Sequence, residues 1–276
     1  MLRLLRLLGI HAYLDLLFVT RNLRDMALWA AADLISGAAA VSAVYLLAER
    51  FGRIGPWGKW QLLFMLGYAV LVNALIELFF GFNVAWISRR IGRGQLDHTL
   101  IQPQSMWMAF ATEGFVPFSC TIQLLPGVAL MAWTVPRVPV DITPGWVALL
   151  AASIAASTIT VMAFSYLWGT MAFWAPVAAE EISSNAMRLV TELKAFPLDR
   201  LGARLTGSLL AIVPAGFVAW FPCRYLAGIE PLTWGAAGTF IGAAGFTLAA
   251  YVAFRRGMVH YGRTGSQRYL SLGHRS

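Results

Sequence analysis

Residues 61–82 read QLLFMLGYAVLVNALIELFFGF, and this stretch decides the class of fold. It contains one charged side chain, Glu77, and as a helix it is long enough to cross the roughly 30 Å hydrocarbon core of a bilayer. The whole chain has the same character, since 59% of its 276 residues are hydrophobic and 12% are charged. Soluble domains carry about 25% charged residues. The composition therefore predicts an all-α integral membrane protein.

Working outward from this span, we predict six transmembrane helices. An apolar run at 26–48 precedes it, and a third run at 106–133 contains Pro117 and Pro126, which predict kinks. The remaining predicted spans are 145–172, a fifth span within 173–232, and 233–254.

Two arrangements of the fifth span stay open on hydropathy alone. In one, 175–205 is cytosolic and 206–228 crosses the membrane. In the other, 175–196 is an unusually polar span, and 197–228 dips into the outer leaflet as a re-entrant segment and returns. Irregular backbone at that depth is tolerated only where it is buried in protein or lines a cavity. The prolines of the re-entrant segment are Pro197, Pro214 and Pro222, and the charges that disfavour a span at 175–196 are Glu180, Glu181, Arg188, Glu192 and Lys194.

Residues 1–25 place leucines at helical spacing between arginines, which predicts an amphipathic helix lying in the membrane interface. A signal peptide is the alternative, and His11 and Asp15 inside the apolar run argue against it. Residues 26–276 are predicted to form a single transmembrane domain.

Arginines concentrate in three segments of the chain: the N-terminal helix, residues 83–105 and the tail at 255–276. The positive-inside rule places all three in the cytosol. Both termini are then cytosolic, which requires an even number of spans and agrees with six. The net charge of +8 therefore reflects topology and not nucleic-acid binding, since the basic residues lie between apolar runs.

Signatures of catalysis are missing from the sequence. A phosphate-binding loop needs Lys followed by Ser or Thr, whereas Lys59 precedes Trp and Lys194 precedes Ala. The histidines and the two cysteines, Cys120 and Cys223, have no metal-ligand spacing. We therefore predict no catalytic, cofactor-binding or metal residues, and energy for uphill transport must come from a partner or an ion gradient.

Three acids lie within apolar spans: Asp33, Glu77 and Glu113. A charge at the bilayer centre costs about 2.5–3.5 kcal/mol or more, so such groups face the bundle interior and find partners. They form either a polar site for an amphiphilic substrate, a proton relay, or structural ion pairs with nearby arginines. Gly238 and Gly242 lie one turn apart in the last span and allow close helix packing, within the subunit or in a dimer.

Residues 87–103 read ISRRIGRGQLDHTLIQP and lie between the second and third spans. The apolar positions predict a short amphipathic helix that is broken near Gly92–Gly94 and ended by Pro103. This stretch is either a solvated loop that sets the topology or a surface helix presented to a cytosolic partner.

This stretch resembles the permease subunits of type-2 ABC transporters, the ABC-2 family, and in particular the six-span group of daunorubicin-type or multidrug exporters. Those permeases typically show, after the second span, Gly, one residue, Leu, Asp, then Leu and Pro, and the matching residues here are Gly94, Leu96, Asp97, Leu100 and Pro103. The residue before that Pro is often basic in the family and is Gln102 here. Residues 196–222 are similar to the family's fifth-span exit and re-entrant segment, and 261–270 to its basic tail. The resemblance favours the fifth span at 175–196.

The resemblance implies that loop 83–105 is a coupling helix seated in a cleft of a separate nucleotide-binding subunit. Its expected contact residues are Ile87, Arg89, Arg90, Arg93, Gly94, Leu96, Asp97, Leu100 and Pro103. ATP and Mg²⁺ would bind only to that partner. Two permease chains, identical or related, would assemble with two ATPase subunits in the lipid of a bacterial cytoplasmic membrane and export a hydrophobic or amphiphilic compound.

Two other functions stay open. The first is a proton-coupled secondary transporter that uses Asp33, Glu77 and Glu113. The second is a membrane enzyme or scaffold without transport activity, for which the sequence offers no nucleophile or metal site.

Overall fold

The computed structural model describes residues 2–85, 87–193, 196–199 and 201–265. The predicted basic tail beyond residue 265 lies outside this part, as does Lys194. The helices are α1 (Leu2–Arg21), α2 (Leu23–Phe51), α3 (Lys59–Ala85), α4 (Ile87–Gly92), α5 (Gln95–Leu100), α6 (Met106–Glu113), α7 (Thr121–Thr134), α8 (Pro144–Gly169), α9 (Pro176–Leu193), α10 (Gly202–Ala211), α11 (Phe221–Leu226) and α12 (Gly238–Thr264). Short 3₁₀ turns cover Val135–Arg137, Thr170–Phe173 and Trp234–Ala237, and a π turn covers Gly216–Trp220. Strands β1 (Arg53–Ile54) and β2 (Trp57–Gly58) pair in an antiparallel hairpin.

Four long helices in the described residues are apolar enough to cross a membrane, and they overlap the predicted first, second, fourth and sixth spans to within two residues at each end or extend beyond them. Their ranges are Leu23–Phe51, Lys59–Gly81, Pro144–Phe173 and Gly235–Thr264. The bent pair Arg204–Ala211 and Gly216–Leu226 would make a fifth if counted as one span. The chain is thus a multi-pass all-α membrane protein, and the number six stays a prediction.

The predicted third span is not one kinked helix but two helices, α6 and α7, separated at residues 114–120. Pro117 lacks a backbone N–H, and the N–H groups of Phe118 and Ser119 are taken up by the carboxylate of Asp15 on α1, at 2.7 and 3.0 Å. A side chain from α1 therefore stabilises this break. After it, α7 packs antiparallel along α3, with Gly127 against Leu71.

The segment that the second arrangement takes as the fifth span forms α9, which is too polar to count as a candidate span, so the choice between the two arrangements stays a prediction. Glu180 near its start pairs with Arg89 on α4 at 2.7 Å. Soon after its end, Asp199 accepts a hydrogen bond from Trp57 at the β hairpin. The helix therefore connects the end of the bundle that carries α4 and α5, here called the basic end, to the opposite, hairpin end.

One side of α9 is polar and exposed, and the other packs into the protein. The exposed polar residues recur every three or four positions, at Glu181, Asn185, Arg188 and Glu192. Ala179, Ser183 and Val190 are buried on the inner side. This separation of a polar and a buried side is typical of an amphipathic helix.

The re-entrant prediction, residues 197–228, corresponds to α10, the π turn and α11, with a bend of 85° before the π turn. Pro214 lies at this bend, and Pro222 is the second residue of α11, which continues directly from the π turn. Pro197 precedes Asp199, whose carboxylate accepts hydrogen bonds from Trp57 at 2.5 Å and Trp220 at 2.8 Å. These bonds fasten the bent segment to the hairpin end.

Candidate functional site

The basic loop forms two short helices, α4 and α5, joined at Gly94, whose φ of +68° lies in the left-handed region that favours glycine. The predicted break near Gly92–Gly94 is therefore located where the structure turns the chain. Ile87 packs so closely on Gly169 that a Cβ there would lie 2.3 Å from the Ile87 Cγ2 atom. The loop is thus built onto the end of α8.

Several residues of this loop that were predicted to contact a partner are packed against other residues of the same chain. Ile87, Ile91 and Leu96 are buried in a cluster with Phe173 and Phe254. Because their side chains are buried in this cluster, Ile87 and Leu96 position the loop and do not contact a second protein.

The polar residues of the loop are also tied to other helices. Arg89 binds Glu180 at 2.7 Å, and Arg90 binds Glu113 at 2.5 Å. Asp97 accepts a hydrogen bond from the Tyr261 hydroxyl on α12. The Pro103 carbonyl accepts one from Arg3 on α1 at 2.8 Å. Elements from both ends of the sequence therefore hold the loop in place.

A contiguous set of residues on this loop stays exposed, and we call it the docking face: Arg93, Gln95, His98, Leu100 and Ile101. Leu100 is 46% exposed and Ile101 is 81% exposed. Gln95, His98 and Ile101 were not predicted from the sequence. Their spacing of three residues along α5 was the signal that marks one helix face.

The three acids predicted within the spans line one cavity of about 700 Å³. It lies between α1, α2, α3 and residues 113–123, and it also contains Asp15 and His11. Asp15 was noted in the sequence only as an interruption of the apolar run. Its convergence with the others could not be predicted, because it depends on how α1 folds back on α6.

The acids of this cavity have different partners. Glu113 forms the ion pair with Arg90. Asp33 accepts one weak hydrogen bond, from the Gln123 amide at 3.5 Å. Asp15 accepts hydrogen bonds from the Phe118 and Ser119 backbone and from the Ser119 hydroxyl. The structural-pairing hypothesis therefore accounts for Glu113 and leaves Asp15 and Asp33 with neutral partners among the residues described.

Gly238 and Gly242 face aromatic rings of the same chain. A Cβ on Gly238 would lie 2.7 Å from the Phe221 ring, and one on Gly242 would lie 3.0 Å from the Phe217 ring. Both glycines therefore make room for the predicted re-entrant segment, which is the packing role within the subunit.

The sequence of residues 34–265 matches the model of a family described as ABC-2 family transporter protein. The chain belongs to the ABC-2 transporter family. It is therefore a membrane permease component of an ABC transporter, and ABC-2 permeases associate with an ABC ATPase subunit and are not themselves catalytic. The match covers the basic loop, Glu77 and Glu113 of the acidic cavity and the predicted re-entrant segment, and it begins one residue after Asp33. No curated protein and no solved structure matches the chain significantly.

Proposed function

We propose that this ABC-2 permease exports a hydrophobic or amphiphilic compound, using ATP hydrolysed with Mg²⁺ on a separate nucleotide-binding subunit. Two permease chains, identical or related, would combine with two such subunits in a bacterial cytoplasmic membrane. Both termini, the basic end and its docking face would then lie in the cytosol.

The observation that carries the proposal is the docking face itself. Leu100 and Ile101 expose apolar side chains beside Arg93 at a part of the chain that is otherwise polar. Exposed apolar residues ringed by polar ones are typical of a protein interface. The anchoring of α4 and α5 to α8, α9 and α12 gives this face a direct mechanical connection to three helices of the bundle.

The test is coexpression of the chain with its ATPase subunit, followed by purification through a tag on the permease. Ile101→Glu places a charge in the middle of the docking face and is expected to reduce the ATPase recovered at least tenfold and to abolish ATP-driven transport. Ile142→Glu is the matched control, because Ile142 is also exposed, at 54%, but lies in the loop before α8 at the hairpin end. Equal recovery of the ATPase with both variants would show that this face is not the docking site.

A proton-coupled secondary transporter is the second candidate, and the observation that favours it is the convergence of four acids on one cavity. It predicts transport that stops when the proton gradient is collapsed and continues without any ATPase. ATP-driven transport in vesicles without a proton gradient would exclude it.

A further inference from the structure

The cavity of about 700 Å³ combines carboxylates with aromatic rings. Asp15, Asp33, Glu77 and Glu113 contribute the carboxylates. Phe18 and Trp29 contribute aromatic rings, and both side chains are largely exposed, at 53% and 62%. A cavity of this size, mainly apolar with a few convergent polar groups, has the character of a small-molecule site.

Two acids of this cavity, Asp15 and Asp33, have neutral hydrogen-bond donors. In the part of the chain that the structure describes, neither Asp15 nor Asp33 forms an ion pair. Asp33 lies ten residues after the start of α2, roughly 15 Å along the helix, and its one donor is a neutral amide 3.5 Å away. Within the predicted span 26–48, an ionised acid at this position is costly without a cationic partner.

We propose that the cavity binds an amphiphile with a cationic head, and this inference rests on the proposed function because it names the substrate class. The head lies between Asp15 and Asp33, where it supplies the missing positive charge. The apolar body lies against Phe18 and Trp29, whose ring faces also attract cations.

A second cavity lies next to the first. It has a volume of about 290 Å³, lies between α3 and α9, and is lined by Ser184, Arg188 and Thr191. Glu77 and Gly81 line both cavities. Gly81 has a φ of +41° and interrupts α3 there, so the helix is irregular at the wall between the cavities. Passage across this wall would bring the cation from α2 to the polar side of α9.

The test is equilibrium binding of tetraphenylphosphonium to the full chain in phosphatidylglycerol nanodiscs without nucleotide, with empty nanodiscs subtracted. Tetraphenylborate has nearly the same shape and the opposite charge, and we expect saturable binding only of the phosphonium. Asp33→Asn is expected to lower the phosphonium affinity at least fivefold and Trp29→Ala at least threefold, whereas Asp33→Glu retains it. Asp25→Asn is the matched control, since Asp25 lies on the same helix and does not line the cavity.

The inference is overturned if the Asp33→Asn and Trp29→Ala variants, eluting as monodisperse protein, bind the phosphonium as the parent chain does. It is also overturned if tetraphenylborate binds equally well. Repeating the measurement in nanodiscs that contain phosphatidylethanolamine distinguishes two sources of the cationic head. If this lipid competes with the phosphonium for binding, the occupant is a lipid with an ammonium headgroup. If it does not compete, the occupant is a free amphiphile. The phosphonium measurement needs neither the ATPase nor ATP. Failure of the proposed function is therefore detected separately, as loss of the ATPase from the purified complex.

Discussion

The carboxylate of Asp199 joins the re-entrant segment to the rest of the hairpin end, and removing its charge tests that connection. One oxygen accepts hydrogen bonds from the indoles of Trp57 and Trp220, at 2.5 and 2.8 Å. The other lies 3.5 Å from Arg224, and the Asp199 side chain is only 12% exposed. Because Arg224 also binds Glu230, it keeps a partner when Asp199 changes.

Asp199→Asn preserves the shape of the side chain and one acceptor oxygen, so the loss is mainly that of charge. A hydrogen bond to a charged group is worth about 1.5–3 kcal/mol and one between neutral groups about 0.5–1.5 kcal/mol. For the two indole donors, the free energy of unfolding should therefore fall by about 2 kcal/mol. That corresponds to a decrease in Tm of about 4–8 °C for a chain of this size class. Asp199→Ala leaves both indoles without an acceptor and should cost about twice as much.

Thermal unfolding of the purified protein in detergent, followed by size-exclusion chromatography, measures this effect. Asp141→Asn is the control, since Asp141 is exposed in the loop before α8 and its change should alter Tm by about 1 °C or less. Trp57→Phe and Trp220→Phe should each reproduce part of the loss. Equal Tm values for Asp199→Asn and Asp141→Asn would refute the assignment of a stabilising role to this carboxylate.

Two further pairs of substitutions compare a packed position with an open one on the same helix. Leu96→Ala should lower the free energy of unfolding by about 2–5 kcal/mol because Leu96 is fully buried. Leu100→Ala should leave Tm nearly unchanged and weaken ATPase binding roughly fivefold. Thermal unfolding and a titration of the ATPase subunit measure the two effects, and a reversed pattern would contradict the assigned faces of α5. Gly257→Ala should destabilise α12 by about 1–3 kcal/mol, since the new Cβ would lie 2.0 Å from the Phe173 ring. Gly245→Ala meets nothing within 4 Å and should stabilise the helix by up to about 1 kcal/mol. Equal Tm values for the two variants would show that Phe173 moves aside freely.

The four long apolar helices could be predicted from the sequence because hydropathy over about 20 residues is a local property. The break between α6 and α7 could not, although Pro117 marks its position. A kinked helix and two separate helices differ in whether the freed N–H groups find another acceptor. Here the acceptor is Asp15, about a hundred residues earlier in the chain, and no local pattern links it to Phe118 and Ser119.

The basic loop shows the same limit. Its break near Gly94 and its amphipathic character followed from glycine and the spacing of apolar residues. Which residues face outward did not, because burial of Leu96 and the hydrogen bond of Asp97 depend on α12, and the close approach of Ile87 depends on Gly169 at the end of α8. The family motif locates the loop in the sequence. Contacts with other helices then decide which of its residues are buried and position it, and which stay exposed on its surface.

The ion pair between Arg90 and Glu113 joins the docking face to the acidic cavity. Arg90 lies on α4, one turn before Arg93, and Glu113 lines the cavity at the end of α6. The Arg90 side chain is 11% exposed and that of Glu113 is 20% exposed, so separating them would leave two poorly solvated charges, which is strongly unfavourable unless each finds another partner. On the proposed function, a partner ATPase that displaces α4 would therefore change the charge of the cavity wall at the same time. A cation bound beside Asp33 would then be held most strongly when Glu113 is released from Arg90, so this ion pair would couple the docking face to the substrate.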